Sequence, residues 1–277
     1  MNIVNLFHEI AGKNPNQVAI IEKNKSITFG ELQKQVIQTA NLFESKGIKK
    51  GDRILVFVPM SIDLYRVILA IFHCGATAVF LDEWVSKKRM ELCCQLADCQ
   101  GFIGVWQARL FSFFSKELRR IRVKLPLSNA TAVSSLLPTH RRETRLITNV
   151  TNRVFERDSV GSKLLPTETI KNHQSKIVNP EDSALITFTT GSTGIPKAAD
   201  RTHGFLKAQF DVLKEKINPQ VGDVAMPVLP IVLLINLASG ATSVIAKFNG
   251  RKPQKWKPEK TIQQIKNHKV NRITASP

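Results

Sequence analysis

Zinc-ligand spacing is missing from this sequence. Its four cysteines, Cys74, Cys93, Cys94 and Cys99, form no CxxC pair and have no histidine at ligand distance in the chain, so they read as reduced, buried thiols. No secretory signal opens the chain either. The segment MNIVNLFHEIAGKNP carries Glu9 inside its apolar stretch and no small-residue cleavage site follows, which makes a cytoplasmic location the expectation. Acidic residues are scarce, 22 against 40 Lys and Arg, giving a formal charge of +18. That surplus favours an anionic partner, whether polyphosphate, nucleic acid or a lipid surface touched peripherally, and does not choose among them. Half of it falls in 101–180, where 14 Lys and Arg meet 5 acids. This stretch has no nucleic-acid motif and few aromatics among its charges, so it reads as a solvated segment and no nucleic-acid partner is expected.

Charge is missing altogether from Val224 to Ala246, where VAMPVLPIVLLINLASGATSVIA is long enough to span a bilayer. Pro227 and Pro230 near one end, and Asn236, Ser239, Gly240, Thr242 and Ser243 beyond, break it into short buried pieces instead. No transmembrane span is expected. A chain of 277 residues with 43% hydrophobic content can bury a sizeable core.

The remaining pattern alternates strand and helix. Ile3, Phe7 and Ile10 share a helical face before Pro15, and Val18–Ile21 reads as a strand. Thr28 with Glu31 makes a capping box for a helix carrying Leu32, Val36, Ala40 and Phe43, which Gly47 ends. RILVFV at 53–58 is a strand closed by Pro59, and Ser61 can cap a helix that carries Tyr65, Ile68, Leu69 and Phe72 as far as Gly75. TAVFL at 77–81, a helix opened by Ser86 over KKRMELCCQLA, and FIGV at 102–105 continue the series. Such alternation predicts an α/β fold of βαβ units around a parallel sheet, whose function gathers at the carboxyl ends of strands. From about Leu125 to Asn179 no period is sustained, and the segment reads as a mobile loop or an insertion. The organisation expected is therefore 1–124, an irregular basic 125–180, and 181–277.

Chemistry concentrates at TTGSTGIPK, delivered by the strand ALITF and followed by a helix from about Thr202. Gly191 and Gly194 permit backbone angles that let N–H groups converge on an anion. The hydroxyls of Thr190, Ser192 and Thr193 add donors, and Lys197 supplies a full positive charge at a fixed offset from Pro196. This suits a triphosphate. It is not the Walker A loop, since Ile195 and Pro196 precede the lysine and Ala198 follows it. His203, alone near a helix start, reads as a packing or capping residue with no part in proton transfer.

The loop resembles the phosphate loop of the adenylate-forming superfamily, which includes acyl-CoA synthetases, luciferases and amino-acid adenylation domains. Thr202 and His203 stand where that family has them, Ala198 replaces its usual glycine, and residues 27–61 are similar to its amino-terminal helix, Gly-Asp-Arg turn and first sheet strand. The resemblance implies the large amino-terminal domain of that fold. It also implies attack of a carboxylate on the α-phosphorus of Mg-ATP to give an acyl-adenylate, with CoA as one acceptor. Thr190, Gly191, Ser192, Thr193, Gly194 and Lys197 would then grip the nucleotide, with Lys197 neutralising charge as pyrophosphate leaves. No residue is assigned to the Mg2+ ion itself.

Family members are roughly twice this length. The sequence has no Gly-x-Thr-Glu adenine motif, no Thr-Gly-Asp ribose motif and no late lysine, so the expectation is an amino-terminal portion that needs its other half for activity, the alternative being a non-catalytic nucleotide-binding remnant. After Pro230 the run IVLLINLASG is wholly aliphatic where many relatives place aromatic residues or histidine. It resembles fatty acyl-CoA ligases and olefin β-lactone synthetases and suits a fatty acyl substrate, although plain core packing accounts for it equally well.

Overall fold

The computed structural model describes residues 1–81, 87–104, 115–127, 174–190, 196–247 and 257–275. Two sheets organise them. The first contains β1 (Val18–Glu22), β2 (Lys25–Thr28), β9 (Val224–Pro227), β10 (Thr242–Ile245) and β11 (Arg272–Thr274), in the order β11-β9-β10-β1-β2. The second contains β3 (Arg53–Phe57), β4 (Thr77–Phe80), β5 (Gly101–Gly104), β6 (Val123–Pro126), β7 (Ser183–Thr190) and β8 (Pro196–Thr202), in the order β6-β5-β3-β4-β7-β8. All pairings are parallel except those of β1 with β2 and β7 with β8. Each sheet therefore draws strands from both the early and the late parts of the chain.

Helices form where the sequence supplies stripes and caps. They are α1 (Val4–Lys13), α2 (Phe29–Ser45), α3 (Ile62–His73), α4 (Lys87–Ala97), α5 (Lys116–Arg120), α6 (His203–Ile217), α7 (Pro230–Ser239) and α8 (Pro258–Asn267). The capping box at α2 is complete: Thr28 Oγ1 accepts from Glu31 N at 3.2 Å, and Glu31 Oε2 accepts from Thr28 N at 3.0 Å. Ser61 caps α3 by accepting from Leu64 N. Gly75, at φ +65°, turns the chain from α3 into β4, a conformation that costs a residue with a Cβ. Ser86, the expected opener of α4, lies outside the described residues, as does nearly all of the irregular basic segment.

The strands of the second sheet are covered on both faces, and their alternation shows it. Ile54, Val56, Ala78, Ile103 and Leu185 enter one core with α1, α2 and α3, while Leu55, Val79, Phe102 and Ile186 enter a second with Met90, Cys93, Cys94 and Ala97 of α4. The first core also takes Ala19, Ile20 and Ile245 from the first sheet, so it ties both sheets to the helices. Cys74, Cys93 and Cys94 are buried free thiols and Cys99 is half-buried. Burial pushes the Cys74 thiol up to about 12 and that of Cys93 to about 11, which keeps them protonated and unreactive.

The uncharged run 224–246 divides into β9, α7 and β10. Pro227 closes β9, Pro230 is the first residue of α7 where its missing N–H costs nothing, and Gly240 ends the helix at φ +82°. No helix among the described residues is long and apolar enough to cross a membrane. Removing the capping hydroxyl in Thr28→Ala is expected to cost about 1 kcal/mol of stability, measured as a lower urea midpoint with an unchanged slope.

Candidate active site

The candidate loop closes a hairpin between β7 and β8. The register runs from Leu185 opposite Arg201 through Thr189 opposite Lys197 to Thr190 opposite Pro196, leaving five residues, 191–195, at the tip. Gly191, Ser192, Thr193 and Gly194 lie outside the described residues, and of Thr190 the backbone pairing alone is described. Lys197 is placed in β8, exposed, at the start of the returning strand. The helix expected from about Thr202 is found as α6, and the strand that precedes it, β8, is one that the sequence did not show. Seven residues of edge strand intervene, and Thr202 is the N-cap of α6, its Oγ1 accepting from Phe205 N at 3.1 Å.

β8 was hidden from sequence because PKAADRT has no apolar alternation. An edge strand has one covered side and its outer partners are solvent, so burial selects little along it. Once the strand is recognised, its period of two sets Arg201 on the same face as Lys197. Arg201 Nη1 donates to Thr187 Oγ1 at 2.6 Å, which anchors a second cation beside the hairpin. Asp200 points to the other face and accepts from Ser183 Oγ, so its carboxylate is engaged away from Lys197.

The hairpin's base is fixed by the turn at 179–182. Asp182 Oδ2 accepts from Asn179 N at 2.8 Å and pairs with Lys50 Nζ at 3.0 Å, while its backbone oxygen accepts from His203 N at 3.0 Å. These bonds hold the Asp182 carboxyl below its usual range, the backbone bond from Asn179 first and then Lys50. Gly204 N donates to Pro180 O at 2.8 Å, and a Cβ on Gly204 would meet that oxygen at 3.1 Å, so the close approach needs glycine.

His203 is fully buried at the first position of α6. Its Nδ1 accepts from Ile3 N at 3.2 Å and its ring lies edge-on to Phe72, which makes it a packing residue that binds the amino-terminal segment to the hairpin's base. Nε2 has no partner. Burial lowers its pKa to about 4, opposed by the charge of Asp182 and assisted by the chain's amino group and Lys50.

What this geometry offers chemically is a hydrogen-bonded strand pair with an exposed ammonium, that of Lys197, near its end, a group that can meet an anion. Among the described residues no group of three or more His, Cys, Asp and Glu is placed to hold a metal ion. Beside α7, an apolar cavity of about 50 Å3 is lined by thirteen residues including Phe72, Leu206, Ile231, Leu234 and Ile235, of which Gln209 alone is polar. Val232, Leu233 and Leu237 of the same helix are core residues.

Solved structures share this fold. A long-chain-fatty-acid-CoA ligase from Archaeoglobus fulgidus superposes with a TM-score of 0.76 at 18% identity, over 99% of this chain and 51% of that one. The family model described as AMP-binding enzyme matches residues 7–277, and the chain belongs to that family. It is 26% identical to an olefin β-lactone synthetase of Xanthomonas campestris, over all of this chain and 48% of the relative, and 25% identical to an acetyl-coenzyme A synthetase of Bradyrhizobium diazoefficiens, over 96% and 42%. The chain thus spans about half the length of these curated relatives.

The pKa of His203 makes a measurable statement. Because its folded value of about 4 lies below the ordinary 6.5, the unfolded chain takes up this proton first. Stability from this residue is complete above about 6.5 and is lost as pH falls towards about 4. Between about pH 7.5 and 4.5 the protein is expected to lose roughly 2–3 kcal/mol more than His203→Asn, which keeps an acceptor near Nδ1 without a titrating ring, in paired urea titrations.

Proposed function

We propose that this chain supplies the phosphate-gripping part of an enzyme that activates a carboxylic acid with ATP. A carboxylate oxygen attacks the α-phosphorus, the bond to the bridging oxygen breaks, and pyrophosphate leaves with the electron pair, giving an acyl-adenylate. A thiol such as that of CoA, or another nucleophile, then accepts the acyl group. The observation that carries this reading is the hairpin register. Thr190 pairs with Pro196 at the end of two hydrogen-bonded strands, and the exposed Lys197 stands beside that end.

In this reading Thr190, Gly191, Ser192, Thr193 and Gly194 surround the β- and γ-phosphates, and Lys197 meets charge that builds up on the leaving pyrophosphate. Holding that cation on a strand means little reorganisation at the moment of reaction, which is how electrostatic catalysis gains over water. Bound Mg2+ would share the neutralisation of the phosphate oxygens. Arg201, tethered to Thr187, adds positive potential on the same face of β8.

A fatty acyl chain is the favoured acid. The cavity beside α7 has an almost wholly apolar lining that suits a methyl end and offers a charged amino-acid side chain no partner. The 277 residues carry neither the adenine motif nor the ribose motif expected of the family, so turnover by these residues alone is expected to be low.

Calorimetric titration with Mg-ATP tests the grip directly. Saturable binding is expected, weakened about tenfold in Lys197→Ala. Unaltered binding in that variant, or none in the parent chain, would remove the assignment. Selectivity is tested by melting temperature: dodecanoate with Mg-ATP is expected to raise it and aspartate to leave it unchanged, and the reverse order would overturn the acyl assignment while leaving Lys197 in place.

A further inference from the structure

The first sheet carries a second concavity that the proposed reaction does not use. It lies between the β1–β2 hairpin, the end of β10 and helix α8, with a volume of about 690 Å3. Lys23 and Lys25 enter it from the hairpin, Lys247 from the residue pair after β10, and Lys260, Gln263 and Asn267 from α8. Among the described residues no carboxylate lines it.

The sequence places these groups together by simple rules. Glu22 pairs with Lys25 across a two-residue turn in which Lys23 takes φ +55°, so the hairpin tip presents its lysines at the sheet edge. On α8, positions 260, 263, 264 and 267 follow the i, i+3, i+4, i+7 spacing of one helical face. A helix laid against a sheet ordinarily turns an apolar stripe inward. Here the covered side of α8 holds Thr261, Gln264, Ile265 and His268, with Gln264 buried, while Lys260, Gln263 and Asn267 are exposed at the rim of the cleft and Ile262 is 51% exposed. Gln264 binds the sheet, its Nε2 donating to Ile245 O at 2.8 Å and its Oε1 accepting from Lys247 N at 3.0 Å, and Gln263 Nε2 donates to Asn267 Oδ1 at 2.6 Å along the helix.

Some exposed lysines elsewhere find carboxylates, as Lys13 does with Glu9, Lys50 with Asp182, Lys176 with Glu44 and Lys207 with Asp211. Lys23, Lys25, Lys247 and Lys260 make no ion pair among the described residues. The neighbouring acid Glu22 is directed to α3, its Oε2 accepting from Ile62 N at 2.9 Å. Lys25 also feels the charge of Asp63, but no carboxylate pairs with Lys23, Lys247 or Lys260 among the described residues, and ammonium groups around one hollow repel one another unless an anion sits between them.

We propose that this cleft is a second anion site, specific for an oligophosphate and separate from the β7–β8 hairpin, which belongs to the other sheet. The concave shape disfavours a flat lipid surface, and among the described residues of the lining there is no Phe, Tyr or Trp on which single-stranded nucleic acid could stack. Lysines grip phosphate as point charges, and the amides of Gln263 and Asn267 add donors that a simple halide would not need.

Inorganic pyrophosphate is the probe, titrated calorimetrically at low ionic strength into the full chain bearing Lys197→Ala, which silences the hairpin. One saturable site is expected, about tenfold weaker after Lys247→Gln with Lys260→Gln and unchanged after Lys34→Gln with Lys216→Gln, both exposed elsewhere. All four lysines are on the surface, and melting curves verify that each variant folds. Equal weakening by the two pairs would mean diffuse attraction to a chain of charge +18 and overturn the site, as would the absence of saturable binding or tighter binding of single-stranded RNA than of pyrophosphate. The outcome is independent of the hairpin, whose own failure appears in the Mg-ATP titration of the chain with Lys197 intact.

Discussion

The structure depends on the pairing of β4 with β7. Ala78, Val79 and Phe80 lie in parallel register with Leu185, Ile186 and Thr187, so a strand more than a hundred residues further along the chain docks beside one laid down early. Closing so long a connection costs entropy, and what offsets it is that β7 is buried on both faces, Leu185 in one core and Ile186 in the other. Everything at the candidate site hangs from that docking. β8 has no partner other than β7, the tip 191–195 has no base without both, and α6 begins only where β8 ends.

The second tie is polar and works at the opposite end of the hairpin. Asp182, Pro180, His203 and Gly204 exchange bonds within one turn, and Ile3 and Asn2 reach in from the beginning of the chain, Asn2 Nδ2 donating to Phe72 O at 2.5 Å and Lys176 O at 3.2 Å. These bonds fix the base of the hairpin, and the β7–β8 ladder carries that position as far as Thr190 and Pro196. His203 belongs to this clamp and stays neutral because burial disfavours its charged form, so it contributes position and no proton chemistry.

Much of this was legible in the sequence where one residue type has one use. The capping box at Thr28 and Glu31, the serine cap at Ser61, the glycine stops at Gly47 and Gly75, and the breaking of 224–246 at Pro227, Pro230 and Gly240 all depend on local backbone chemistry, and the folded chain uses each in that way. β8 and the polar stripe of α8 were not legible. PKAADRT lacks alternation because a hydrogen-bonded edge needs none, and PEKTIQQIKN looks like an ordinary solvated helix until β1, β2 and β10 are seen beneath its polar face.

By itself, then, the sequence determined the family's loop, the α/β class and the helices that carry their own caps, since these follow from φ, hydrogen-bond donors and spacing within a few residues. Tertiary structure decided that Lys197 stands on a strand opposite Thr189, that Arg201 shares its face, and that Lys23, Lys25, Lys247 and Lys260 surround one cleft from three separate parts of the chain. Register and juxtaposition come from which distant surfaces bury each other, and no local pattern encodes that.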